Sequence, residues 1–188
     1  KKISSAYQQV IFIEGDLEHG KTGQPSPDVQ LYLKSEIAKI PSCIYLHDNV
    51  VIFDNLAFIG ANLWWVPKIV SVSELENYSR MSRGHHGDVS YLKGNVAKIQ
   101  RMREIDKVCI ISHAVPHFEI LIGSDPDYKN CDSGVSNEVL DIDINNKITT
   151  WCFGHIPEHV DYTVSDVRFI SNPRGTPKTA TDSVYYPL

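Results

Sequence analysis

The stretch KVCIISHAVP, residues 107–116, decides the fold class, because a nearly continuous apolar run ends there in His113. The stretch TTWCFGH, residues 149–155, has the same form and ends in His155. Continuous apolar runs of this kind are typical of strands that are buried on both faces of a sheet. A third run, VIFIEGD at 10–16, ends in Asp16. We therefore expect a layered α/β domain in which polar side chains follow the buried strands.

The rest of the chain alternates helical and β-rich segments. Apolar residues at helical spacing predict three helices, over residues 28–40, 74–82 and 91–105. The sequence RGHHGD between the last two, which contains His85 and His86, is predicted as a solvated loop. β-Rich runs predict a hairpin or meander and a later strand pair, over residues 43–46, 49–54, 56–61, 161–164 and 167–171. No repeat, low-complexity tract or linker interrupts this pattern, so we expect one domain over residues 1–188.

Composition narrows the class of protein. The chain has 188 residues, of which 42% are hydrophobic, and this is enough for one substantial core. A formal net charge of −5, with no basic run longer than a pair, does not indicate nucleic-acid binding. No apolar stretch approaches the roughly 20 residues that span a bilayer, so we expect no membrane segment. The four cysteines lack CxxC spacing, which favours buried free thiols and an intracellular, reducing setting.

Three polar residues at strand ends form a candidate metal site. Asp16, His113 and His155 each follow an apolar run, and ligands of α/β sheets gather beyond the carboxyl ends of strands. One carboxylate and two imidazoles are a plausible ligand set for a transition metal. The alternative, that these are ordinary polar residues at strand-to-loop boundaries, stays open at this point.

A nucleotide-binding loop is the competing interpretation of the first strand end. Residues 15–22 read G-x-x-x-x-G-K-T, the written form of a phosphate-binding loop. Asp16 and Glu18 would repel a phosphate there, and Pro25 and Pro27 disfavour the helix that must follow such a loop. We therefore set this interpretation aside.

Five segments taken in order resemble the calcineurin-like metallophosphoesterases. They are VIFIEGDLE, FIGANLWW, IISHAVP, CFGHIPEH and NPRG, and the resemblance covers nearly the whole chain. GDLE stands where the family has G-N-H-E, and the segment around His113 stands where it has T-H-H-A-P. The resemblance implies a sandwich of two mixed β-sheets flanked by helices, whose first strands would lie upstream of Lys1. It also implies hydrolysis of a phosphoester by a water molecule activated between two divalent metals, Mn, Fe or Zn.

The family site residues are only partly kept. Asp16 stands at an asparagine ligand of the family, while His113 and His155 match two of its histidine ligands. Leu17 replaces the catalytic histidine of G-N-H-E, and an alkyl side chain can neither donate a proton nor stabilise an anion. Pro157 replaces the second histidine of G-H-T-H, and His159 is a candidate to compensate for it. The other family ligands, including the acid that bridges the metals, would lie upstream of this chain.

These departures leave two functional hypotheses. The first is a catalytically inactive protein with a degraded metal site, which holds one metal rather than two. Such a protein would serve as a structural or interaction module, with a protein partner or within an assembly. The second is a metal-dependent phosphoester hydrolase with an altered or compensated site. Fold does not decide between them, because activity depends on the site. Asn172 and Arg174 in NPRG are expected to form a structural turn near the site.

Overall fold

The computed structural model describes residues 6–22, 26–64, 75–117, 120 and 147–173, with the side chains of residues 20–22 and 75–83 excepted. Eight strands lie in these ranges: β1 (Val10–Phe12), β2 (Cys43–Tyr45), β3 (Asn49–Phe53), β4 (Leu56–Gly60), β5 (Lys107–Ile111), β6 (Ile148–Cys152), β7 (Val160–Val164) and β8 (Val167–Ser171). Two α-helices accompany them, α1 (Pro27–Ile37) and α2 (Leu75–Gln100), together with a 3₁₀ helix over Asp16–Thr22. The protein is therefore α/β, as expected from the sequence.

A six-stranded mixed sheet forms the centre of the molecule, in the order β3-β4-β5-β6-β8-β7. The strands β4, β5, β6 and β8 pair in parallel, whereas β3 and β7 pair antiparallel at the two edges. Because parallel strands end at the same edge of a sheet, the residues that follow β4, β5 and β6 lie together. This edge carries His113 and His155.

Two tight turns build the antiparallel edges. Asp54, at φ 51°, turns β3 into β4, and Ser165 and Asp166, at φ 48° and 66°, turn β7 into β8. Asp and Asn tolerate such left-handed backbone better than bulky residues do. Both hairpins were expected from the sequence, and both are confirmed.

The strand β2 departs from the expected meander. It pairs in parallel with β1 in a separate two-stranded sheet, with Cys43 opposite Val10 and Tyr45 opposite Phe12. The turn after β2 passes Leu46, His47 and Asp48 before β3 begins in the larger sheet. A Cβ on Gly60 would collide with Leu46, so the end of β4 packs closely against this turn.

The hydrophobic core lies between α2 and one face of the six-stranded sheet. The helix contributes Val89, Leu92, Val96 and Ile99, which recur at the three- and four-residue spacing of one helical face. Alternate strand residues meet them, among them Ile59, Ile110, Trp151 and Phe169. Trp151 and Phe169 stack across neighbouring strands with ring centroids 6.2 Å apart. This layer fixes the strands whose ends carry the candidate ligands.

The prediction of a loop at residues 83–88 was wrong. Helix α2 runs without interruption from Leu75 to Gln100, through both Gly84 and Gly87. Each glycine costs a helix about 1 kcal/mol relative to alanine, but burial of the helix face outweighs a cost of that size. His85 and Asp88 are 3% and 4% exposed, whereas His86 and Gly87 are exposed, so this segment has one buried and one solvated helix face.

The remaining strand predictions agree with the structure. Helix α1 was predicted over residues 28–40, and it begins one residue earlier and ends three residues earlier than predicted. Pro27 occupies the first turn of α1 behind Ser26, a position that suits its missing N–H group. Arg174 and the rest of the C-terminal tail lie outside the described residues, as does Trp65. Among the helices described, none has the length and apolar character needed to cross a bilayer.

Candidate metal centre

Three separate strands bring Asp16, His113 and His155 together. Asp16 follows β1 in the small sheet, whereas His113 and His155 follow the parallel neighbours β5 and β6 in the large sheet. Gly15 makes the approach of the two sheets feasible, since a Cβ at this position would lie 2.6 Å from Cε1 of His113. Any larger residue would push Asp16 away from the imidazole.

The three side chains converge on one point. Oδ1 of Asp16 lies 2.8 Å from Nε2 of His113, and Nδ1 of His155 lies 3.2 Å from the same Nε2. The remaining distance, from Nδ1 of His155 to Oδ1 of Asp16, is 3.7 Å. The ligand atoms of the three residues all lie within 4.8 Å of one another. In the described part of the chain, this is the cluster of potential metal ligands that is close enough to hold an ion.

The charge states of the group favour a cation. The hydrogen bond with His113 lowers the pKa of Asp16 to about 2, so this carboxylate is ionised at neutral pH. Burial, followed by the nearby His113, lowers the pKa of His155. Metals bind the neutral form of imidazole and the ionised form of a carboxylate, which are the forms that these shifts favour.

The backbone around the two histidines is tied between β5 and β6. The N–H of Ser112 donates to the carbonyl of Cys152 at 2.9 Å, and the N–H of Gly154 donates to the carbonyl of His113 at 3.1 Å. The indole of Trp151 donates to the hydroxyl of Ser112 at 2.9 Å. These bonds hold the two histidine backbones at a fixed separation.

His155 lies in the left-handed region, at φ 68°. A residue with a Cβ is strained there, and strained positions cluster at functional sites. Turn residues such as Ser165 also adopt this conformation, so the convergence of the three side chains, rather than the backbone angle, marks His155 as a candidate site residue.

The donor set fits a metal ion of the type expected from the sequence. Two ligands bound at about 2.0 Å in tetrahedral geometry are about 3.3 Å apart, and the three measured separations bracket this value. One carboxylate oxygen and two imidazole nitrogens suit Zn, Mn or Fe. When bound, such an ion supplies Lewis acidity and lowers the pKa of a coordinated water molecule.

The other residues singled out by the sequence lie apart from this group. Leu17 is 83% exposed beside Asp16. Pro157 and His159 are both exposed, and His159 is not within the 4.8 Å group of the described residues. Ala114 is fully buried. Asn172 is half-buried just beyond the end of β8.

A second polar cluster around Glu14 was missed by the sequence analysis. Glu14 is fully buried, accepts a hydrogen bond from Gln30 at 3.1 Å and lies 3.1 Å from Nδ1 of His47. The hydroxyl of Tyr45 also donates to it. Burial raises the pKa of Glu14, but hydrogen bonds from His19, His47 and Tyr45 outweigh burial and hold it well below its usual range. One sequence signal was present, because His47 follows β2 just as His113 follows β5.

Comparison with known proteins supports the fold. No protein-family model matches the chain. An uncharacterized protein of Acanthamoeba polyphaga mimivirus is 23% identical over 184 residues, which covers 82% of this chain and 64% of that protein. The crystal structure of phosphopantetheinyl hydrolase (PptH) from Mycobacterium tuberculosis is similar with a TM-score of 0.65 and 10% sequence identity, over 96% of this chain and 74% of that one. The chain thus has a metallophosphoesterase-like fold, and it spans less than two thirds of its viral relative.

Proposed function

We propose that this protein is a metal-binding module of the metallophosphoesterase type, in which one metal subsite is kept and hydrolysis is strongly impaired. A single observation carries the proposal: Asp16, His113 and His155, from three strands, place their ligand atoms within 4.8 Å of one another. An ion such as Mn, Fe or Zn would be held by these residues and would attract a phosphoester.

The impairment follows from the side chains next to the metal centre. Leu17, 83% exposed, stands where the resembling family has a proton donor, and it offers only an apolar surface. Pro157 has no ligand atom for a second ion. A protein with this site would recognise a phosphoester, or an assembly partner that contacts Leu17, more effectively than it would catalyse a reaction.

Metal content tests the proposal directly. We expect about one equivalent of metal after dialysis of the protein against metal-free buffer, measured by mass spectrometry of the elements. His113→Ala should lose the metal, because it removes a nitrogen at the centre of the group. His159→Ala is the matched control, since His159 is an exposed histidine outside the group, and it should keep the metal.

Two outcomes would overturn the proposal. One is a wild-type protein without metal that also fails to take up Mn²⁺, Fe²⁺ or Zn²⁺ when these are added. The other is equal metal content in the wild type and in His113→Ala, which would place the ion elsewhere in the chain.

An active hydrolase with an altered site is the second candidate function. The observation in its favour is that Asp16 is ionised beside His155. The pKa of His155 is lowered, which favours its neutral form, and an ionised carboxylate beside a neutral imidazole suits a tightly held ion. Turnover of p-nitrophenyl phosphate by the metal-loaded wild type, abolished in His113→Ala, would support this candidate. A rate no higher than that of His113→Ala would exclude it for this substrate.

A further inference from the structure

A cavity of about 700 Å³ lies beside α1 and α2, and its described lining does not include the metal-ligand group. The N-terminal turn of α1, the turn after β2, Trp64 and the middle of α2 form its described walls. This volume suits a small organic molecule and greatly exceeds that of a bare ion. None of the residues assigned to the metal centre is needed to form it.

The cavity is lined by carboxylates from three different elements. Asp28 comes from α1, Asp48 from the turn after β2 and Asp88 from α2. The described lining residues include no lysine or arginine. His47 is also in the wall, where its Nδ1 lies 3.1 Å from Glu14 and its Nε2 lies 3.7 Å from Asp48. One imidazole shared between two carboxylates leaves the described lining with more carboxylates than cationic groups.

Asp88 shows the electrostatic consequence most clearly. It is 4% exposed, and its Oδ2 accepts a hydrogen bond from the N–H of Trp64 at 3.2 Å. Burial, followed by the charge of Asp48, raises the pKa of Asp88 to about 7. No lysine or arginine of the described lining pairs with Asp88. A buried carboxylate in this setting is costly to ionise, so a cation in the cavity would stabilise it.

The spacing of the carboxylates decides which kind of cation fits. Among the described residues, the metal centre is the only group of three or more potential ligand atoms that lie within 4.8 Å of one another. The carboxylates of Asp28, Asp48 and Asp88 therefore do not converge on one point. A single metal ion cannot contact three dispersed carboxylates. Several ammonium groups on a flexible chain can reach them separately and make charge-assisted hydrogen bonds.

We propose that this cavity binds a small aliphatic polyamine, whose ammonium groups pair with Asp28, Asp48 and Asp88. The alkyl segments between the ammonium groups lie along the apolar parts of the wall, including Trp64. Gly84 and Gly87 keep the α2 side of the cavity open, and a Cβ at Gly87 would meet no other atom within 4 Å.

Calorimetric titration of spermidine into the full chain tests this site. We expect saturable binding by the wild type, and Asp48→Asn should weaken it about tenfold, the effect of losing one hydrogen bond to a charged group. Asp48 has φ 46°, which asparagine tolerates, so the variant should fold. Asp54→Asn is the matched control, because Asp54 has φ 51° in a turn outside the cavity, and its affinity should equal that of the wild type.

Two further probes make the result decisive. Triethylene glycol, a flexible chain without charge, should not bind, and His113→Ala should bind spermidine like the wild type, whatever becomes of the metal centre. Three results would each overturn the proposal. The first is that spermidine shows no saturable binding, and the second is that Asp48→Asn and Asp54→Asn lose affinity equally. The third is that Mg²⁺ binds and depends on Asp48 as strongly as spermidine does.

Discussion

The carboxylates of Glu14 and Asp16 lie two residues apart but have opposite surroundings. Glu14 is fully buried, and Tyr45, Gln30 and His47 approach its two oxygens. The side chain of Asp16 is 28% exposed, and its Oδ1 faces two imidazoles at 2.8 and 3.7 Å.

The comparison shows that the neighbours of a carboxylate determine whether it can bind a ligand. Glu14 also faces two imidazoles, those of His19 and His47. Its oxygens, however, already accept hydrogen bonds from Gln30 and Tyr45, and Nδ1 of His19 accepts one from the N–H of Ser26, so this cluster is satisfied within the protein and stabilises the fold. Around Asp16 the two imidazole nitrogens and the carboxylate oxygen lie within 4.8 Å of one another, so an ion can take the place of the shared proton. The first cluster is closed to ligands and the second is open.

Glu14→Ala has the largest expected effect. Removing this carboxylate leaves His47 and the hydroxyl of Tyr45 without their buried partner, and breaking a buried charge pair in this way costs about 3 kcal/mol or more. Urea unfolding of the metal-free protein measures the loss. Glu36→Ala is the control, because Glu36 is a half-buried residue of α1 whose carboxylate pairs with the exposed Lys39, and it should change the free energy of unfolding by at most about 0.5 kcal/mol. Equal effects for the two variants would contradict the role given to Glu14.

Leu17→His should strengthen catalysis at the open cluster. A histidine there could donate a proton to a leaving group, and general acid catalysis contributes about 100-fold or more. Hydrolysis of p-nitrophenyl phosphate by the metal-loaded protein measures the gain. Leu31→His is the control, since Leu31 is a similarly exposed leucine on α1, at 67% against 83% for Leu17. Equal rates for both variants would show that Leu17 does not limit activity.

Asp88→Asn should have a smaller effect on stability, and this effect depends on pH. The pKa of Asp88 is raised from 3.8 to about 7, so the folded state keeps a proton that the unfolded state has released. Stability must therefore fall as the pH rises through this window, by up to about 1.4 kcal/mol per pH unit. Asp88→Asn should remove this contribution and become more stable relative to the wild type between about pH 5 and pH 8.

Urea unfolding at the two ends of that pH range provides the measurement, and Asp54→Asn is the control that should follow the wild type. A constant difference between Asp88→Asn and the wild type across the range would show that Asp88 titrates normally in the folded protein.

Much of the fold could be predicted from the sequence, because buried parallel strands have a strong pattern. The runs that end at His113 and His155 are β5 and β6, and both hairpins fall where Asp54 and Asp166 allow left-handed backbone. The parallel pairing of β5 and β6 also explains why the two histidines meet. Metal binding by this group stays a prediction.

Other features depend on contacts that no local pattern contains. The glycines at 84 and 87 predicted a loop, yet α2 continues through them because its buried face packs on the sheet. β2 was placed with β3 by proximity in the chain, but it pairs with β1 across an intervening helix. The contact between Glu14 and His47 follows from that pairing, so it could not be predicted without it.

Gly15 has a consequence for the connectivity of the folded chain. Its close packing on His113 brings the end of the small sheet against the end of the large one. Asp16 and His113 are 97 positions apart in the chain, and His155 lies a further 42 positions along. An ion held by all three would cross-link distant points of the polypeptide. Its contribution to stability would then come from the restricted freedom of the unfolded chain, as well as from the bonds to the ion.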